Sequence, residues 1–248
     1  MRKIIFLITV ILFAACGKND VSTVGDATGK NGSITRFAIK DNLMYAIDIN
    51  YLRVFDISDG DNPVLVQSME VAYGIETIFI YENYIYLGAV DGVYVIDINN
   101  PISPHQLQKI EHHITCDPVV VQNNYAYSTQ RVTTTGCGNH WFQSALAVYD
   151  VSDINNSVLK KEITMGEPYG LAVEGSWLFV CDAVNGGILV FDITDPADPV
   201  EKSTANVIEP RDIILNYPYM LVATNTSFEL YNYSDPLNIH FVSTFELY

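Results

Sequence analysis

From Ser33 onward, apolar and polar residues alternate in short runs broken by Gly, Pro, Asn and Asp. A period of two sends successive side chains to opposite faces of a strand, and no stretch of this region carries the 3.6-residue period of a helix. The runs come in sets of four. One set is Ile75–Tyr81, Tyr84–Ala89, residues 92–98 and His105–Glu111, with a tight turn between each pair. Such a set predicts a four-stranded antiparallel sheet.

The sets recur five times, with a period of about 40 residues. Three marks align them. The first is a turn leading into an alternating strand: Asn42-Leu43-Met44-Tyr45, Asn83-Tyr84-Ile85-Tyr86, Asn124-Tyr125-Ala126-Tyr127, Ser176-Trp177-Leu178-Phe179 and Pro218-Tyr219-Met220-Leu221. The second is an apolar strand closed by an acid or amide, at Leu52-Arg53-Val54-Phe55-Asp56 and then ending at Asp97, Asp150, Asp192 and Asn232. The third is a turn rich in Pro and Asx, around Pro63, Pro101, Asn155, Pro196 and Pro236. Pro fixes φ there, and Asx side chains bond back to nearby amides.

Five sets of four predict an all-β, five-bladed β-propeller with four-stranded antiparallel blades, near residues 33–73, 74–115, 116–167, 168–209 and 210–248. A β-sandwich or another β-repeat array is the alternative, but neither demands so regular a period. Ring closure is expected from packing of the fifth blade on the first.

The Leu-x-Val-φ-Asp core followed by a Ser/Thr/Asn-x-Pro turn resembles the LVIVD repeat of bacterial and archaeal surface proteins. The resemblance covers 33–248, is best over 188–199, and departs most where Asn232 replaces the Asp. It implies a propeller outside the cytoplasm. It implies no settled activity and supplies no catalytic residue.

The N-terminus reads as a targeting signal. Arg2 and Lys3 precede an apolar run over 4–13, too short to span a bilayer but of signal-peptide length, ending in Ala14 and Ala15 before Cys16. Phe13-Ala14-Ala15-Cys16 resembles the bacterial lipobox, which implies removal of residues 1–15 and acylation of Cys16. An ordinary secretory signal is the alternative. Gly17, rather than Asp, follows the Cys, which by the same resemblance favours the outer membrane, with the domain periplasmic or surface-exposed. Residues 16–32 are polar and Gly-rich, the composition of a flexible tether.

Cleavage would leave 11 basic residues of the original 13 against 29 acidic ones, a net charge of −18. That field repels nucleic acid and excludes it as a partner. The expected partners are the membrane, through the lipid, and a protein or glycan.

Candidate chemistry lies where the repeats disagree. The recurring Asp56, Asp97, Asp150 and Asp192 stand just before turns, where carboxylates accept turn amides, so their expected role is structural. Asp56 with Asp59 is a thin version of a calcium loop. At the start of each predicted inner strand stand Thr35-Arg36, Glu76-Thr77, Asp117-Pro118, Tyr169-Gly170 and Arg211-Asp212. In a propeller these positions ring one mouth of the axis. Arg36, Glu76, Asp117, Tyr169 and Arg211 are therefore candidate ligand-binding residues, with Asp48, Gln130 and Asp182 expected on the same face.

The third repeat carries an insertion over 132–144 that contains Cys137, His140 and Trp141, and the loop entering the same blade contains His113 and Cys116. A Cys116–Cys137 disulfide suits an exported protein. Zinc held by His113, Cys116, Cys137 and His140 has the right ligand types, but its spacing is split between loops. Both readings stay open, as do free thiols, and no cofactor is otherwise expected. Cys181, in a Val-rich strand, reads as a buried apolar residue.

No nucleophile elbow, His-Glu-x-x-His pair or phosphate-binding glycine loop occurs. The leading expectation is therefore a non-enzymatic binding module, with Tyr and Trp141 available for stacking on sugar or peptide. The alternative is a carbohydrate-active hydrolase or lyase that uses Glu76 and Asp117 as paired carboxylates.

Overall fold

A computed structural model describes residues 32–111, 118–132 and 143–246. Among these residues, twenty strands form five antiparallel sheets, each ordered as its strands follow in the chain. Blade 1 comprises β1 (Phe37–Lys40), β2 (Leu43–Ile47), β3 (Tyr51–Asp56) and β4 (Val64–Glu70). Blade 2 comprises β5 (Ile75–Tyr81), β6 (Tyr84–Ala89), β7 (Gly92–Asp97) and β8 (His105–Glu111). Blade 3 comprises β9 (Val119–Gln122), β10 (Tyr125–Gln130), β11 (Ala145–Asp150) and β12 (Val158–Thr164). Blade 4 comprises β13 (Pro168–Glu174), β14 (Trp177–Asp182), β15 (Gly187–Asp192) and β16 (Val200–Asn206). Blade 5 comprises β17 (Asp212–Asn216), β18 (Tyr219–Ala223), β19 (Ser227–Asn232) and β20 (His240–Glu246).

The expected five-bladed propeller is the observed fold, and the four runs read in the second repeat are its strands, the third being one residue shorter. The first strands pack on one another, β1 on β5, β5 on β9, β9 on β13 and β13 on β17, which makes them the inner strands around the axis.

The repeated motif builds the blade. Asp56 accepts the amide of Ser58 (2.8 Å), Asp97 that of Asn99 (2.6 Å), Asp150 that of Ser152 (3.0 Å) and Asp192 that of Thr194 (2.9 Å). Asn232 does the same for Ser234 at 2.9 Å, so the fifth repeat keeps the bond without the charge. In four blades the turn that follows adds a second such bond, with Asp59, Asp153, Asp195 or Asp235 accepting the amide of the residue two further on. These carboxylates are structural acceptors.

Every third strand also carries a register shift at the same point: Val54/Phe55, Val95/Ile96, Val148/Tyr149, Val190/Phe191 and Leu230/Tyr231. A bulge of this kind increases the local twist of a sheet.

Seams between blades are apolar with a polar latch. Tyr45, Tyr86 and Tyr127 occupy one position of successive repeats and are fully buried. Tyr45 donates its hydroxyl to Pro101 O (3.3 Å) in the outer turn of blade 2, and Tyr127 donates to Pro196 O (3.1 Å) in that of blade 4. The repeated turn therefore satisfies a tyrosine of the preceding blade, as a buried hydroxyl requires. Burial pushes the Tyr45 hydroxyl up to about 12. Blade 4 has Phe179 at this position and blade 5 has Leu221. Tyr127, Leu146, Leu178 and Phe191 belong to a continuous core, and Phe179, Val190, Ile213 and Met220 join blade 4 to blade 5. Each such fully buried side chain contributes about 1.5–3 kcal/mol. Cys181 is a free, buried thiol in this last core, as its Val-rich surroundings predict.

The fifth seam is different. At the hub, Asp212 at the start of β17 accepts Ser33 N (3.1 Å), Ser33 Oγ (3.1 Å) and Ile34 N (3.3 Å), and Ser33 Oγ in turn accepts Leu171 N (2.8 Å). Beyond the hub the two blades do not pack to the extent seen at the other seams, among the described residues. Phe37 and Ile39 on blade 1 are 54% and 55% exposed, and Phe228 and Phe245 on blade 5 are 38% and 55% exposed. A groove of about 570 Å³ lies along Ile214, Tyr219, Leu221, Phe228, Leu230 and Phe245. Among the described residues, closure is thus by polar contacts at the hub to the buried Asp212 carboxylate rather than by packing of the blade faces, whose apolar side chains stay exposed.

Candidate functional site

The inner strands begin at one mouth of the axis, and irregular pairing there controls where side chains point. In β5 the register passes from Ile75 opposite Ala89 to Thr77 opposite Gly88, leaving Glu76 at the shift. In β13 it passes from Pro168 opposite Asp182 to Leu171 opposite Val180, leaving Tyr169 and Gly170 at the equivalent place. Bulges of this kind re-aim side chains next to sites.

Gly170 also lets two blades approach. Its amide donates to Arg211 O at 2.8 Å, and a Cβ there would stand 2.2 Å from Asp212 Oδ1. Only glycine fits, and the closeness sets Arg211 beside Tyr169.

Three blades converge on that tyrosine. The Arg211 guanidinium lies 3.9 Å from the Tyr169 ring centroid, and that of Arg131, just past β10, lies 4.3 Å from it. The Tyr169 hydroxyl donates to Glu167 at 2.8 Å, and Thr129 Oγ1 donates to Tyr169 O at 2.6 Å. Burial foremost, then the bond to Glu167, raises the Tyr169 hydroxyl above its ordinary range, while the two arginines pull it down. Arg211 Nε donates to Asn225 Oδ1 (2.8 Å), and Asn225 Nδ2 donates to Glu209 (2.5 Å). Both guanidinium carbons therefore lie within cation–π range of the Tyr169 ring.

Of the expected ring, Arg36, Glu76, Tyr169 and Arg211 are described. Arg36 Nη2 donates to Ile75 O (3.3 Å) at the entrance to β5. Tyr169 and Arg211 are brought into contact; Arg36 and Glu76 belong to the starts of blades 1 and 2. Asp117 and Trp141 lie outside the described residues, as do Cys16, Cys116, Cys137, His113 and His140. Among the described residues no three His, Cys, Asp or Glu side chains come together to hold a metal.

The second-strand residues are committed to the framework. Asp182 is fully buried and accepts the amides of Gly166, Glu167, Val184 and Asn185, which tie the entry of β13 to the turn after β14. Asp48 accepts the amides of Asn50 and Tyr51 and pairs with Arg53 at 2.7 Å. Gln130 donates to Tyr149 OH within the core. Arg131 is the residue that sequence reasoning passed over. It ends a second strand rather than starting an inner one, and its only signal was its place beside Gln130 at the root of the insertion.

The sequence profile of the LVIVD repeat matches residues 31–71, 76–109 and 166–207, corresponding to blades 1, 2 and 4. Blades 1, 2 and 4 carry the LVIVD repeat. Blades 3 and 5 escape the match, one interrupted by the insertion and one carrying Asn232, yet they have the same strand order. No curated protein matches the sequence significantly.

Several crystal structures share the fold. A functionally unknown protein from Desulfotomaculum acetoxidans has a TM-score of 0.68 at 11% identity, over 85% of this chain and 69% of its own. A proposed 6-phosphogluconolactonase from Bacteroides fragilis has a TM-score of 0.64 at 8% identity, with the same coverage. A periplasmic gluconolactonase of Pseudomonas aeruginosa has a TM-score of 0.64 at 10% identity, over 83% and 67%. At these identities the likeness is one of fold.

Proposed function

We propose that the protein is a ligand-binding module of the cell envelope, held by a lipid on Cys16, whose contact surface is the axis mouth formed by blades 3 to 5. The observation that supports this is the convergence of Arg131, Tyr169 and Arg211 from three blades, while the framework carboxylates nearby are tied into turns. Residues that differ from blade to blade make an asymmetric surface, which suits recognition of an asymmetric ligand. A protein or glycan remains the expected partner class. The test is a melting-temperature screen against envelope glycans and peptides with wild type and Tyr169→Ala. A ligand that stabilises only the wild type supports the module; no stabilisation by any member of the panel overturns it. Labelling with a radioactive fatty acid, lost in Cys16→Ala, tests the anchor.

A second reading is hydrolysis of a sugar derivative through Glu76 and Asp117, and the names of two fold relatives, gluconolactonases, favour testing it. Under this reading purified protein opens gluconolactone and Glu76→Gln does not. Equal rates in the two proteins would remove it.

A further inference from the structure

We propose that the axis mouth recognises an oxyanion, a carboxylate or phosphate group, at the guanidinium edges of Arg131 and Arg211 around the Tyr169 ring; the proposal rests on the binding-module reading above and names the chemistry of its ligand. The described residues contain four arginines, Arg36, Arg53, Arg131 and Arg211, and Arg53 is paired with Asp48 on an outer part of blade 1. The other three stand at the mouth. This gathers cations in a protein whose formal net charge is −16.

Arg131 and Arg211 are within 4.3 Å and 3.9 Å of one ring centroid, so their guanidinium carbons are no more than about 8 Å apart. Two like charges held that close favour an anion that bridges their N–H edges at the rim of the Tyr169 ring. The fold fixes them there. Arg131 leaves the end of β10, Arg211 is drawn in by the Gly170 amide and bonded to Asn225, and Tyr169 is anchored by Glu167. A guanidinium held over an aromatic ring can still donate from its N–H edge, the fork that matches carboxylate and phosphate, although in Arg211 the Nε–H is already given to Asn225. This placement also uses the Tyr169 ring, which therefore serves as a platform for arginines instead of a stacking surface for a sugar.

The protein's acidic surface disfavours stray anions, and at the mouth Glu167 and Glu209 are bonded to Tyr169 and Asn225, so anion binding should map to the two arginines. Selectivity would come from the pair, with Arg36 at the start of blade 1 adding a third positive charge to the same end of the axis.

Calorimetry on the purified full-length protein with three probes tests this: gluconate, inorganic phosphate and sorbitol, the last a neutral polyol of the same carbon count as gluconate. Gluconate or phosphate should bind, sorbitol should not, and raising salt should weaken the anion. Arg131→Ala and Arg211→Ala should each lower affinity at least tenfold. Arg211→Lys, which keeps the charge and serves as the control for folding, should recover only part of it. Anion binding that is unchanged in both alanine variants overturns the proposal. So does sorbitol binding as tightly as gluconate. If neutral glycans from the wider screen bind and neither anion does, the oxyanion proposal fails while the binding module stands; if nothing binds, both fail.

Discussion

Asp212 is the carboxylate that joins the ring at its hub, and replacing it with Asn should change how stability depends on pH. Burial is the main influence and raises its pKa from 3.8 to about 6, against the opposing hydrogen bonds from the Ile213 and Ile34 amides and from Ser33. A folded-state value above the unfolded one means that the protonated form is favoured by folding. That contribution is complete below 3.8 and is lost as pH rises through about 6. The full span is at most about 3 kcal/mol, at 1.36 kcal/mol for each pH unit, and roughly 1 kcal/mol of it returns between pH 7 and pH 5. Asn keeps the shape and an acceptor for Ser33 but does not titrate. Urea unfolding of both proteins at pH 7 and pH 5 reads the effect. Lower overall repulsion nearer the isoelectric point affects both chains, so it cancels in the difference. Wild type should gain roughly 1 kcal/mol over Asp212→Asn on acidification. Equal gains would refute the reasoning.

Other consequences are open to direct measurement. Phe179 is fully buried in the core between blades 4 and 5 and meets Tyr233 edge-on at 5.6 Å, so Phe179→Ala should cost about 3–5 kcal/mol in urea unfolding. The hydroxyl and amide of Ser152, followed by Lys160, hold the Asp150 carboxyl down at about 2. A depressed value stabilises above the unfolded pKa and is lost as pH falls through about 2, so melts between pH 7 and pH 2 should show Asp150→Ala less stable at neutrality and closer to wild type at the acid end. Hydrogen exchange should protect blades 2, 3 and 4, each held by two packed seams, more than blades 1 and 5; uniform protection would contradict the observed difference between seams.

The fold was legible because it is written five times. Alternation gives strands, the recurring acid or amide gives the turn, and repetition gives blade number, so no single ambiguous run decides the outcome. Tyr45, Tyr86 and Tyr127 were visible as a repeated mark, but the pairing of Tyr45 and Tyr127 with a carbonyl of the next blade's turn needed coordinates, since it links residues 56 and 69 positions apart. The site was legible only in outline. Tyr169 and Arg211 were found by aligning inner strands. Arg131 was not, because it comes from a different strand of another blade. Asp182, by contrast, looked like a mouth residue and is a knot of backbone bonds: strand position fixes where a carboxylate starts but not which amides surround it. Asp212 stood in the alignment one place after Arg211 with nothing to mark it, since its partner Ser33 lies 179 positions earlier.

The unpacked seam bears on how such a chain can grow. Blade 5 shows toward the gap the positions that every earlier blade uses to receive its successor, with Leu221 where blades 1, 2 and 3 carry a buried tyrosine. Because each blade's core is shared only with its neighbours, duplicating a 40-odd-residue unit at that edge leaves the four existing seams intact. About three-tenths of the Desulfotomaculum acetoxidans relative has no counterpart in this chain, which is the kind of length difference such a modular edge accommodates. The hub carboxylate, which reaches Ser33 across the gap, is the contact that a blade inserted at that edge would break.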